Sequence, residues 1–172
     1  MIGNDVVDII QSRKENNWQR RGFLNKLFTT EEQQLIKNYH EPEIMVWTLW
    51  SMKEAVYKIY NRQTGIRAYI PKQLVCTVDH VNLGTVIINN HTYHTKTTVQ
   101  DNCIYTIATQ QKLDLENIYE LHNVIIIKDH NGFPYVANRH NDEKQPVSVS
   151  HHGRYFKVAA INNSHKIVEH AR

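Results

Sequence analysis

The chain is predicted to be an α+β protein, an antiparallel sheet packed against one long helix. Residues 43 to 61 contain no Gly or Pro, so nothing in that stretch breaks a helix. Residues 74 to 109 are instead dense in branched and aromatic side chains punctuated by Gly, Asn and Asp, the texture of strands and turns. Asn131-Gly132 between apolar runs is a strong hairpin signal.

Taken in order, Val6, Val7, Ile9 and Ile10 form a short strand-like run behind Asp5, and Arg13 to Phe23 has helical spacing. Thr29-Thr30-Glu31-Glu32 is a capping box opening a second helix through Leu35 and Ile36. Pro42 suits the first turn of the long helix, where its missing N–H would be unpaired anyway. Along that helix Leu49, Met52, Val56 and Ile59 recur at three- and four-residue steps and should face the core. Strands are expected at 74–78, 85–88, 93–99 and 103–108, with turns at Asn89-Asn90-His91 and Gln100-Asp101-Asn102. Leu113 to Leu121 suggests a short helix, and 124–128 with 135–136 a hairpin. An exposed stretch at 138–145 and strands at 147–150 and 156–161 complete the expectation.

Length, at 172 residues, suits a single domain spanning 1–172. A net charge of +3 is too weak to indicate nucleic acid, although it is compatible with an acidic partner. No apolar run is long enough to span a membrane, and Asp5 sits where a signal peptide would be basic, so no membrane association and a cytoplasmic location are expected. Cys76 and Cys103 are expected as reduced fillers. The eleven histidines never take the paired spacing of a structural zinc site.

Glu54 and Lys58 lie four apart on the long helix and share a face. On spacing alone such a pair is a surface ion pair worth about 0.3–0.5 kcal/mol. Asp5 heads an apolar run, and an acid there must be hydrogen-bonded, paired or bound to a cation. One carboxylate from a strand and one from a helix, completed by phosphate oxygens and water, is a usual way to hold Mg²⁺. Asp5 and Glu54 are the candidates.

Gly3-Asn4-Asp5-Val6-Val7-Asp8-Ile9 resembles the first signature of the 4'-phosphopantetheinyl transferases, and Trp50-Ser51-Met52-Lys53-Glu54-Ala55-Val56-Tyr57-Lys58 resembles the second. Phe28 to Glu32, Gly65-Ile66, Gly132-Phe133-Pro134 and Ser148-Val149-Ser150-His151 follow the same family order. Acid first and Ser-x-Ser-His last is similar to the short, holo-acyl-carrier-protein synthase type. Residues 74–121 form a β-rich insertion relative to that type, Trp50 stands where it usually has Phe, and Gln11 replaces its arginine.

The resemblance implies an enzyme that moves 4'-phosphopantetheine from coenzyme A to a carrier-protein serine, releasing 3',5'-ADP. Asp5 and Glu54 would bind Mg²⁺ against the pyrophosphate, and Glu54 or a water would take the serine proton. Lys58 would contact the phosphates, and His151 in the Ser150-His151 segment the 3'-phosphate, making Asp5, Glu54 and Lys58 catalytic and Lys58, Ser150 and His151 coenzyme-binding. Lys53 faces elsewhere and could equally be a solvated charge. Expected partners are coenzyme A and an acidic acyl or peptidyl carrier protein docking on Arg13, Lys14, Arg20 and Arg21, with a homo-oligomer possible because short-type relatives are trimers. The competing reading is a non-catalytic relative that binds coenzyme A or a carrier; a nucleic-acid-binding module ranks below it.

Overall fold

The computed structural model describes residues 1–79, 82–137 and 143–162. It opens on β1 (Ile2–Asp8), then α1 (Ile9–Glu15), α2 (Phe23–Leu27), α3 (Thr30–Asn38) and the 23-residue α4 (Pro42–Thr64). A 3-10 turn at Pro71–Gln73 leads to β2 (Val75–Val78), β3 (Leu83–Ile88), β4 (His91–Gln100) and β5 (Cys103–Thr109). A second 3-10 turn at Lys112–Glu116 precedes β6 (Ile118–Glu120). The described chain finishes with β7 (Ile127–Lys128), β8 (Pro134–Ala137), β9 (Lys144–Pro146), β10 (Ser148–His152) and β11 (Tyr155–Ile161).

Two local expectations change. Ile9 and Ile10 do not extend the first strand but start α1, because Asp8 caps it: Asp8 Oδ1 accepts from the backbone N–H of Ile10 at 3.1 Å and of Gln11 at 3.4 Å. The helix expected over 13–23 is therefore divided, ending at Glu15 and resuming after Gly22, whose φ is +83°. Residues 113–121 form a 3-10 turn and a strand rather than a helix. A stretch that short nucleates poorly alone, and Ile118–Glu120 instead pairs with the open edge of β11, Tyr119 opposite Ala160. Of the stretch expected as exposed, 138–142 lies outside the described residues, while Lys144–Pro146 is strand β9 on β8.

The long helix forms as its sequence dictates. Thr29 and Glu32 make the reciprocal capping box of α3, Pro42 opens α4, and Gly65 closes it in the left-handed conformation at φ +71°. Leu49, Val56 and Ile59 are fully enclosed and Met52 is 1% exposed. At about 1.5–3 kcal/mol per fully buried side chain, this stripe is a main source of stability.

It packs on a five-stranded antiparallel sheet of order β1-β5-β4-β3-β2. The connections at Asn89-Asn90 and Asp101-Asn102 are two-residue turns with all four φ between 46° and 64°, the backbone that Asn and Asp tolerate and that hairpin twist favours. Two three-stranded sheets, β10-β11-β6 and β7-β8-β9, complete the architecture.

Strand β1 is the junction of these parts. On one side it pairs with β5 from Ile2 opposite Thr109 to Asp8 opposite Cys103. On its other edge, side chains of β10 stand in for a backbone ladder: Asn4 N donates to Ser148 Oγ at 2.8 Å, and Asp8 N to His152 Nδ1 at 2.8 Å. Arg154 then clamps Asp8 through Nε at 2.8 Å and Nη2 at 3.0 Å, holding its carboxyl well below the usual range through those hydrogen bonds.

Candidate active site

Side chains alternate along β1, so Gly3, Asp5 and Val7 face α4 while Asn4 and Asp8 face β10 and β11. The glycine is required by that packing, since a Cβ on Gly3 would collide with the carbonyl oxygen of Ala55. Close approach of the two backbones lets an acid on β1 meet one on α4. Ser51 Oγ reinforces it by donating to the Asp5 carbonyl at 3.3 Å.

Beside its core stripe, α4 carries a half-buried one, Trp50, Glu54, Tyr57, Lys58, Asn61 and Arg62, spaced three and four apart. Asp5 and Glu54 from the two elements line one cavity of about 430 Å³, whose apolar wall includes Phe23, Leu27, Trp47 and Trp50. His151 and His152 lie on its rim with Arg20 and Lys26. A second cavity of about 590 Å³ is lined by Tyr57, Lys58, Arg62, Lys128, Phe133 and Pro134 among others. The structure thus brings together Asp5, Glu54 and Lys58, while His151 lines the first cavity and Lys58 the second.

Lys58 ties the site together. Its Nζ lies 3.7 Å from Asp5 Oδ1 and donates to the carbonyls of Asn4 at 2.6 Å and Val149 at 3.2 Å. Burial pushes its pKa down, opposed by the charges of Asp5 and Glu54. Asp5 is pushed up to about 7, chiefly by burial and further by Glu54, against the pull of Lys58. Glu54 is also raised by burial, with Tyr69 and Lys58 opposing. Two carboxylates with one ammonium between them leave a surplus of acid in a dry setting, an environment that favours an added cation.

That donor set fits a hard cation shared with a phosphate. Among the described residues no three His, Cys, Asp or Glu side chains converge into a cage, and Mg²⁺ characteristically uses one or two carboxylates with phosphate and water oxygens. Two buried polar groups without a hydrogen bond lie at the same place. Of the buried side-chain atoms without a hydrogen bond among the described residues, Trp47 Nε1 belongs to the cavity wall and the Tyr69 hydroxyl lies beside Glu54, whereas Asn4 Oδ1, on the other face of β1, Ser150 Oγ and Thr95 Oγ1 belong to residues outside the cavity lining. Such groups are rare in folded proteins and cluster where a ligand completes them.

Three residues take on parts that sequence reasoning did not give them. Arg62, one turn beyond Lys58, donates to Val147 O at 2.7 Å and lies 5.6 Å over the Phe133 ring; its i,i+4 spacing from Lys58 was the available signal. Tyr69 comes from a loop with no periodicity and gave none. His152 is structural: with Nδ1 accepting from Asp8 N, its Nε2–H donates to Glu15 Oε2 at 3.0 Å. Lys53 corrects the expectation of a solvated charge. It is fully buried, its Nζ 2.8 Å from Glu32 Oε2 and donating to Pro71 O at 2.8 Å and Leu74 O at 2.6 Å.

Residues 1–115 match the sequence profile of the 4'-phosphopantetheinyl transferase superfamily. The chain belongs to that superfamily. A holo-[acyl-carrier-protein] synthase of Verminephrobacter eiseniae is 34% identical over 60 residues, which span 35% of this chain and 46% of that relative. The chain thus matches less than half of that relative's length. In fold it is similar to holo-[acyl-carrier-protein] synthase from Neisseria meningitidis, with a TM-score of 0.52 and 16% identity over 62% of this chain and 94% of that one. An apo-ACPS structure from Chronobacterium ammoiniagenes gives a TM-score of 0.50 at 11% identity, over 63% of this chain and 93% of the other. The profile of the 4'-phosphopantetheinyl transferase superfamily extends through β2–β5, and those strands continue the sheet that β1 begins. No helix among the described residues is long and apolar enough to cross a membrane.

Proposed function

We propose that this superfamily member is a Mg²⁺-dependent holo-acyl-carrier-protein synthase acting in the cytoplasm, transferring 4'-phosphopantetheine from coenzyme A to a carrier-protein serine. The observation that carries it is the meeting of Asp5, Glu54 and Lys58, each in its family motif, at one wall between two cavities. The serine oxygen forms a bond to the phosphorus bearing the pantetheine arm while the bond to the departing 3',5'-ADP breaks. Glu54, or a water it holds, accepts the serine proton. Lys58 neutralises phosphate charge and fixes the diphosphate at the boundary of the cavities. Asp5 and Glu54 would hold Mg²⁺, which when bound offsets charge on the leaving group. The apolar cavity beside Trp47 and Trp50 suits the pantetheine arm, and the cationic one beside Arg62 and Phe133 suits the nucleotide.

The direct test is to incubate the protein with coenzyme A, Mg²⁺ and apo-carrier proteins and to follow the carrier by mass spectrometry. A carrier heavier by one phosphopantetheine is expected; unmodified carriers across fatty-acid and peptide-synthase types would leave only coenzyme A or carrier binding. For Lys58→Ala the expected result is coenzyme A binding weakened roughly tenfold or more by calorimetry, the scale of a hydrogen bond to a charged group. An unchanged titration would return Lys58 to a plain ion pair. The 3'-phosphate has two candidate contacts, His151 from the family pattern and Arg62 from the cavity lining. His151→Ala and Arg62→Ala, each compared on coenzyme A and its 3'-dephospho form, decide between them. The variant that loses affinity only for coenzyme A has lost the 3'-phosphate contact.

A further inference from the structure

Tyr69 places a buried hydroxyl beside Glu54, and the surrounding structure holds it there. Its ring lies edge-on to Trp50 at 5.8 Å and to Tyr57 at 5.0 Å between centroids. Trp50 and Tyr57 flank Glu54 on the half-buried stripe of α4, so the phenol spans the turn that carries the carboxylate. Its hydroxyl is buried beside Glu54, with which it interacts directly, and no other acceptor takes it among the described residues. A buried phenol donor needs an acceptor, and the acids that act on it are Glu54 and Asp5.

The loop from Gly65 to Leu74 has no regular structure through Ile70, yet α4 grips it along its length. Asn61 Nδ2 donates to Ile66 O at 2.8 Å, Tyr57 hydroxyl to Arg67 O at 2.7 Å, and Lys53 Nζ to Pro71 O and Leu74 O. Glu32 closes the grip by pairing with Lys53 and accepting from Cys76 N at 2.8 Å. Three side chains of α4 thus fix the segment on both sides of Tyr69. Fixing it by backbone carbonyls leaves the phenol as the side chain delivered to Glu54.

We propose that Tyr69 is a positioning residue whose hydroxyl donates to the Glu54 carboxylate, orienting its other oxygen toward the cation. The inference rests on the Mg²⁺-transferase reading and deepens it. Outer-sphere partners of this kind set the direction and charge of a metal-bound carboxylate, and removing one typically costs 10–100-fold in metal affinity. Phe at this position keeps both ring contacts and deletes only the donor.

The test measures Mg²⁺ affinity by tryptophan fluorescence in the presence of coenzyme A, for wild type, Tyr69→Phe, Glu54→Gln and the double variant. Tyr69→Phe is expected to weaken Mg²⁺ binding roughly tenfold with an unchanged melting temperature, and to lower kcat more than it raises KM for coenzyme A. In the Glu54→Gln background the same change should add nothing to the loss of Mg²⁺ affinity, because no carboxylate is left for the phenol to orient toward the cation. Wild-type Mg²⁺ affinity in Tyr69→Phe, or an equal loss with Glu54 already replaced, would overturn the proposal. Its failure is separable from that of the transferase reading. A wild-type protein that binds Mg²⁺ with coenzyme A but modifies no carrier sinks the latter and leaves the tyrosine effect measurable, whereas one that binds no Mg²⁺ sinks both.

Discussion

Glu54→Gln is expected to fold normally and to lose Mg²⁺-dependent transfer by two to four orders of magnitude, the range that general-base function contributes. Glutamine keeps the side chain's size against Trp50 and Tyr69 but can neither accept a proton nor carry charge to a cation. Folding should survive because Glu54 is unfavourably placed as an anion in the free protein, where burial raises its pKa. Removing its charge relieves that penalty, so the melting temperature should hold or rise while carrier modification, followed by mass spectrometry, disappears. A variant that transfers within tenfold of wild type would take Glu54 out of the reaction and leave Asp5 alone to hold the cation.

The largest effect on stability is expected from a residue one position away. Lys53→Met leaves Glu32 enclosed and without its counter-charge, since both side chains are at most 1% exposed. Breaking a buried pair from one side costs about 3–5 kcal/mol, and denaturant unfolding should register it at that scale. Replacing both partners, as Lys53→Met with Glu32→Leu, should recover much of the loss, because an apolar pair carries no desolvation penalty. If the double variant is as unstable as the single, Lys53 matters through its bonds to Pro71 and Leu74 rather than through the ion pair. The adjacent residues of one motif therefore do opposite things: Lys53 builds the frame, and Glu54 faces the cavity.

That division marks where sequence stops being informative. The core face of α4 was legible because Leu49, Met52, Val56 and Ile59 repeat at helical spacing, and all four are buried. The β2–β5 meander was legible because Asn89-Asn90 and Asp101-Asn102 can adopt the left-handed turns that join strands. Ile9 and Ile10 misled because apolarity alone does not separate strand from helix when an upstream acid supplies a cap. Residues 113–121 misled because their conformation is set by an edge of β11 far along the chain. Lys53 could not be placed without knowing that Glu32, twenty-one residues earlier, enters the same core. Of the site, Asp5, Glu54, Lys58 and His151 could be named from motif order, yet their spacing said nothing of which cavity each would line. Tyr69 was invisible, since a loop presents its side chains by backbone anchoring and leaves no period to detect.

The side-chain bridges between β1 and β10 have a kinetic meaning. Asn4 N and Ser148 Oγ meet across 144 positions of sequence, and Lys58 reaches both strands at once. Closing so large a loop carries an entropic cost that local helix and hairpin contacts do not. On a ribosome, the first hundred-odd residues can already assemble α4 against its sheet, with Asp5 beside Glu54. The opposite wall, with Val149 and His151, arrives only when the last strands dock. Completion of the site is then a late event in the life of each molecule, and a nascent chain holds its acids in place before the strands around them are docked.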